Sequence, residues 1–311
     1  MTASRGFWSI VADNSAYRGV SLIMLGGERR RFWLLAIFPL LWVFVTHLGP
    51  ILQMLRISFL DAYPPTQGIE PALTLANWLA FFGDDIFVIP FMRTLGFASV
   101  LTITTLIITY PVAYFLAKHV RQNRQLLFLL LLLVPFWVGE IVRTYAIMIL
   151  LGNRGFINLV LTWFGLIERP IPFMYTSFSL SVGIIYLTSL YMLLPLYSAL
   201  EKIPNSYREA AADLGAGPWS RLIKITLPLS KDGIASGCTL VFLISTGYYA
   251  TPVLLGGPST TLFSETIAGF FHVAGDRWPV GAAFASIMLI ATLVIAGLFL
   301  KLMGRSGKGI L

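Results

Sequence analysis

The sequence predicts an all-α integral membrane protein with six transmembrane helices and both termini on the cytoplasmic side. Three observations carry that prediction. The 311 residues are 57% hydrophobic and 12% charged, with mean hydropathy +0.80, too little polar surface for a soluble domain. Six segments are each apolar over the roughly 20 residues that a helix needs to cross the hydrocarbon core. Lys and Arg gather in alternate loops, the bias that sets orientation in a membrane. The net charge of +8 alone would also suit a nucleic-acid binder, but the basic residues sit beside apolar spans, so no nucleic-acid partner is expected.

Taken in order, residues 1–31 read as a cytoplasmic N-terminal arm, with Arg29, Arg30 and Arg31 anchoring the first span. The arm lacks a long apolar core with a small-residue cleavage site, so no cleavable signal peptide is expected. Residues 32–311 form the membrane domain, with spans at about 32–55, 94–117, 126–150, 178–200, 233–255 and 280–303. Pro39, Pro111, Pro135, Pro195 and Pro252 fall in or near these spans, where neighbouring helices or water can satisfy the freed carbonyls. With both ends inside, sixteen of the 22 basic residues lie on the cytoplasmic side, among them Lys118, Arg121, Arg124, Lys202, Lys301, Arg305 and Lys308. The outer loops then hold Asp61, Glu70, Asp84, Asp85, Glu168, Glu265 and Asp276. The first of them contains Leu75–Phe82, which reads as an interfacial helix with its aromatics at the headgroup level.

Residues 201–231 interrupt this apolar pattern with a polar, helix-forming loop. Pro204 stops the fourth span. Ser206-Tyr207-Arg208-Glu209 has capping-box spacing, with the Ser206 hydroxyl at the N-cap and Glu209 reaching back from N3. Gly215 suits the left-handed residue after a helix, and Gly217-Pro218 restarts one with proline at its first position. Ile225-Thr226-Leu227-Pro228 turns the second helix back toward the membrane. Ala210, Ala211 and Ala212 give a smooth face that another protein can approach closely. Glu209 itself admits two roles, a helix cap or a contact with that partner.

The run Glu209-Ala210-Ala211, three residues, Gly215, nine residues, Ile225, one residue, Leu227-Pro228 resembles the EAA signature of permease subunits of bacterial ABC importers. The resemblance implies the type I (MetI-like) importer fold, with Arg208, Glu209, Ala210, Ala211, Asp213, Leu214 and Gly215 on a coupling helix seated in a cytoplasmic ATPase. It extends over most of the chain toward the spermidine/putrescine branch, first permease of the pair. Leu132–Trp137, Val142-Arg143-Thr144-Tyr145, Gly155-Phe156-Ile157-Asn158, Leu194-Pro195-Leu196-Tyr197, Leu255-Gly256-Gly257-Pro258 and Arg277–Ala283 carry it. Several relatives have an acidic residue in span 5; here the run is Gly247-Tyr248-Tyr249-Ala250-Thr251-Pro252. The implied assembly is a heterodimer with a second permease in the bacterial inner membrane, joined by two copies of a cytoplasmic ABC ATPase and a periplasmic binding protein. ATP and Mg would be bound by the ATPase, with no cofactor in this chain. Other cargoes in the class are thiamine, an opine, ferric iron and an aminophosphonate. Rivals outside it are an ion-coupled secondary transporter and a membrane scaffold.

Ionisable groups inside a span are functional candidates. Glu140 and Arg143 lie three residues apart on one face of span 3. One reading pairs them with each other or with nearby backbone; the other turns Glu140 to the pathway as an attractor of amines. Tyr248 and Tyr249 lie on the span that lines the pathway in this family, where aromatic faces and hydroxyls can attract an ammonium. The alternative is an aromatic surface packed in the bundle. Trp42, Trp137, Trp163 and Trp278 read as core or interface anchors. The chain lacks a Gly-x-x-x-x-Gly-Lys-Ser/Thr motif, so no catalytic residue is assigned and it is not expected to be an enzyme. His47, His119, His272 and the single Cys238 suggest no metal cluster and no internal disulfide.

Overall fold

The computed structural model describes residues 28–65, 71–272 and 277–304. Most of the N-terminal arm, Glu70, Asp276, Arg305 and Lys308 lie outside the described residues. The chain divides into two compact units, Met1–Ile57 and Ser58–Leu311. In the first, α1 (Glu28–Val43), a π-helical turn (Phe44–Leu48) and α2 (Gly49–Ile57) follow one another, and Leu35–Ile57 is apolar enough to span a membrane. Pro39 and Pro50 cannot donate backbone hydrogen bonds, which favours a widened turn between them. There the Thr46 hydroxyl donates to the Trp42 carbonyl at 2.7 Å.

The second unit runs through α3 (Ala76–Gly83), α4 (Asp85–Lys118), α5 (Gln122–Leu133), α6 (Glu140–Leu151), α7 (Phe156–Trp163) and α8 (Ser177–Glu201). After α8 come α9 (Asn205–Asp213), α10 (Pro218–Arg221), α11 (Leu227–Leu229) and α12 (Lys231–Gly247). The chain ends with α13 (Ala250–Leu255), α14 (Phe263–His272) and α15 (Trp278–Gly304). Helix α8 is central and packs against α4 and α12, which also pack against each other, while α15 covers α12 and α14. Ile184, Leu187, Met192, Leu196 and Leu200 of α8 are fully buried.

Burying leucine against lipid releases little hydrophobic free energy, so close packing and interhelical hydrogen bonds must hold such a bundle. Both are present. A Cβ on Gly233 would stand 2.5 Å from the Ala199 Cβ and 2.7 Å from the Pro195 carbonyl oxygen. One on Gly237 would meet the Met192 sulfur at 2.7 Å. The pair is a Gly-x-x-x-Gly step that brings α12 against the α8 backbone. Across elements, the Ser179 hydroxyl donates to the Leu255 carbonyl at 2.7 Å and the Phe263 amide donates to Thr94 at 2.8 Å.

Among the described residues, five helices are long and apolar enough to cross a membrane: Leu35–Ile57, Asp85–Lys118, Glu140–Trp163, Ser177–Glu201 and Trp278–Lys301. A sixth is counted when α12 is joined to the segment Pro218–Leu229, from which it bends by 68°. The predicted second span begins too late, because α4 has 34 residues and starts at an Asp84 cap that accepts the Ile86 amide at 3.0 Å. At about 51 Å it exceeds the hydrocarbon core of about 30 Å. The predicted third span is not one helix. Pro135 opens a 3₁₀ turn over Val134–Trp137, Val138 is extended, and α6 starts afresh at Glu140. The predicted fifth span is also broken, at Tyr248 and Tyr249 between α12 and α13. The expected interfacial helix exists as α3, but Phe81 is 3% exposed among Phe91, Phe263 and Phe284, so one face is built into the fold.

Candidate coupling loop and transport pathway

The polar loop is two helices joined at Leu214–Gly217. The expected Ser206 capping box is not formed. Helix α9 begins two residues earlier than expected, at Asn205, with Pro204 in the N-cap position and no side-chain cap. The chain leaves Pro204 with ψ 138°, and Ser206 already lies inside the first turn, so its hydroxyl cannot cap the start. The other end matches expectation. Gly215 has φ +84°, its amide donates to the Ala212 carbonyl at 2.8 Å, and the Ala216 amide donates to Ala211 at 2.9 Å. That is a Schellman closure, which a left-handed glycine permits at little steric cost. Gly217 and Pro218 begin α10 as the sequence indicates.

Glu209, Ala210, Asp213, Leu214 and Gly215 are exposed and Ala211 is half-buried. Leu214 is 89% exposed, an apolar side chain at the tip beside Asp213. Trp219, 75% exposed, accompanies it on α10.

Three residues of α4, spaced by four, hold this loop, and sequence reasoning did not single them out. The Lys118 ammonium donates to the Ile203 carbonyl at 2.6 Å, just before α9. The Tyr110 and Ser230 hydroxyls are 3.0 Å apart at the elbow that follows α11. Between them the Arg208 guanidinium lies over the Tyr114 ring, 5.3 Å from its centroid. Positions i, i+4 and i+8 share one helical face, so α4 grips the loop at both ends and once in the middle. A Tyr-x₃-Tyr-x₃-Lys step entering a basic loop is the signal that could have revealed it.

The pathway candidates separate. Glu140, half-buried at the start of α6, accepts from the Thr251 hydroxyl at 3.2 Å through Oε1. Thr144 donates to the Glu140 carbonyl at 3.0 Å and lies 3.2 Å from the Thr251 hydroxyl. Thr144 and Thr251 are fully buried, so this carboxylate is tied to the break in the fifth span. Glu140 and Arg143 do not pair. The Arg143 guanidinium lies 4.5 Å from the centroid of Phe136, and its Nε and one terminal nitrogen are buried without a hydrogen-bond partner.

Tyr248 is 8% exposed and packs with Leu101, Leu180 and Ile184, while its carbonyl accepts from Ser264 at 2.6 Å. Tyr249 is exposed and stacks on His272 at 6.2 Å. The adjacent tyrosines therefore face different surroundings. Nearby Glu265 accepts the Leu262 amide at 2.9 Å, and burial pushes its carboxyl above the usual range despite that bond. The tryptophans Trp42, Trp137 and Trp163 are well exposed on this chain and Trp278 less so, against Phe271, which suits interface anchors.

No protein-family model matches the chain. It is 34% identical over 267 residues to the spermidine/putrescine transport system permease protein PotB of Escherichia coli (strain K12), covering 86% of this chain and 94% of that one. It is 30% identical over 286 residues to the inner membrane ABC transporter permease protein YdcU of the same organism, covering 88% and 89%. In structure it resembles a chain of a bacterial alginate ABC transporter crystallised with an alginate pentasaccharide-bound periplasmic protein. The TM-score there is 0.66 at 18% identity, over 92% of this chain and 99% of that one.

Proposed function

We propose a function from a plain premise: the chain belongs to the family of membrane permease subunits of bacterial ABC importers. It is a multi-pass inner-membrane protein and not itself an enzyme. Within the family we assign it to polyamine import, of spermidine and putrescine. The observation that carries this is the 34% identity to PotB, which runs through 86% of the chain.

The working unit we infer has a second permease, two copies of a cytoplasmic ATPase that bind ATP and Mg, and a periplasmic binding protein. The exposed Leu214 tip and the flanking Glu209, Ala210, Ala211 and Asp213 would enter the ATPase, with Arg208 at the rim. Closure of the ATPases would drive α9, and the bonds from Lys118 and Tyr110 would carry that displacement into α4. A bundle with two discrete packings then alternates access. On the outer half, Glu140 gives a cationic amine a carboxylate, and the exposed Tyr249 offers an aromatic face, while the buried Tyr248 keeps a packing role.

The test is uptake of labelled spermidine and putrescine by cells that lack their own polyamine importers and carry this chain with its partner subunits. Uptake should require a hydrolysis-competent ATPase. Gly215→Leu should abolish it while leaving membrane insertion intact. Uptake that persists without the ATPase would refute the importer reading. Uptake of thiamine or ferric iron that spermidine does not compete would refute the cargo alone.

A further inference from the structure

A cleft of about 490 Å³ opens where the C-terminal end of α4 meets α9 and α10. Arg208 and Arg221 line it together with His119, Tyr110, Tyr114 and Trp219, and no carboxylate is in the lining. Two guanidiniums with no carboxylate in the lining leave donors that an anion can complete. Arg221 shows the deficit directly, because its Nε is buried and has no hydrogen-bond partner. Arg208 has only the Tyr114 ring beneath it, and among the described residues no carboxylate pairs with it. His119 is held in place by Phe115, 5.9 Å away and nearly parallel, and by Tyr114 at 5.5 Å.

The cleft is not part of the route for the cargo, because two arginines repel a polyamine. Its position names the ligand chemistry instead. It borders Pro111 and Tyr114 of an apolar span whose last residue is Lys118, and Trp219 stands exposed at its rim. An amphipathic aromatic beside basic side chains at a span end marks the headgroup level. The planar fork of arginine suits phosphate oxygens in particular.

We propose that the Arg208–Arg221 cleft binds a phosphate-bearing anion, supplied by an anionic phospholipid headgroup or by free phosphate, directly between α4 and the coupling loop. The cleft shares Arg208 and Tyr110 with the coupling loop, so the proposal rests on the importer reading for its assembly, while anion binding and uptake are read out separately.

The assembled importer is placed in nanodiscs of phosphatidylcholine alone or mixed with phosphatidylglycerol, and retained lipid is counted by native mass spectrometry. A parallel arm adds inorganic phosphate to the phosphatidylcholine discs and follows thermal stability. Retained phosphatidylglycerol identifies a headgroup; stabilisation by inorganic phosphate alone identifies the free ion. Arg221→Gln should weaken the effect about fivefold, the worth of one basic residue at such a surface. Arg221→Lys, which keeps the charge, should restore most of it. Arg124→Gln, on an exposed residue away from the cleft, should change nothing. Equal losses from Arg124→Gln and Arg221→Gln would reduce the effect to general basicity and overturn the site. Absence of both lipid retention and phosphate stabilisation in the unsubstituted complex would overturn it too, as when an ATPase carboxylate fills the cleft.

Discussion

A carboxylate carried into the hydrocarbon region costs up to about 3 kcal/mol unless its oxygens find donors. Glu140 finds Thr251 at 3.2 Å, and the Thr144 hydroxyl anchors the carbonyl of the same residue. Oε1 takes the Thr251 bond, and among the described residues none donates to the second carboxylate oxygen, which is left for an incoming donor. Arg143 does not neutralise the charge, since its guanidinium is spent on Phe136. Glu140→Gln separates the roles: the amide oxygen can still accept from Thr251, so folding survives, while attraction for an ammonium is lost. A hydrogen bond to a charged group is worth about 1.5–3 kcal/mol. Accordingly, KM for spermidine should rise at least roughly tenfold in proteoliposomes, with the amount of folded protein unchanged. An unaltered KM would return Glu140 to a purely structural part.

At the scale of elements, hydropathy located the apolar stretches but not their continuity. Averaging over a window treats Pro135 and the Gly139 before α6 as small perturbations, whereas proline removes a donor and the chain turns extended at Val138. The break at Tyr248–Tyr249 has a local signal in Pro252, which cannot donate to the Tyr248 carbonyl four residues back; Ser264, sixteen residues on, supplies that bond instead. The seam between α8 and α12 was legible in Gly233 and Gly237, had the four-residue spacing been weighed in an apolar context. Overpacking there should be costly because the obstacles are the Pro195 carbonyl and the Ala199 Cβ, neither of which can swing away. Gly233→Leu should therefore destabilise the detergent-solubilised protein by about 1–3 kcal/mol or more. Gly297→Ala, with nothing within 4 Å of the added carbon, is the neutral comparison. Identical melting temperatures for the two would show that α8 and α12 are not held in this close contact.

For the whole molecule, the question is how a displacement of one exposed loop reaches spans that line a pathway. The coupling signature of the loop was legible as a local string from Glu209 to Pro228, but its attachments were not, since Tyr110 and Ser230 are 120 residues apart and Lys118 and Ile203 are 85 apart. Those attachments make α4 the common support of the loop, and α4 in turn packs along α8 and α12. If they transmit force, removing both should leave the ATPase running while transport fails. The ammonium-to-carbonyl bond and the hydroxyl pair are together worth about 2–3 kcal/mol. A two-state bundle that loses that much bias shifts by roughly thirtyfold or more. Tyr110→Phe combined with Lys118→Met should thus keep ATP hydrolysis near its usual rate and lower spermidine molecules imported per ATP by at least about tenfold. Each single variant should fall between, because the remaining bond still links the loop to α4. Parallel loss of hydrolysis and uptake would instead mean that the bonds serve only to fold the loop for docking. Full retention of both would show that the motion travels through α12 and the elbow at Ser230.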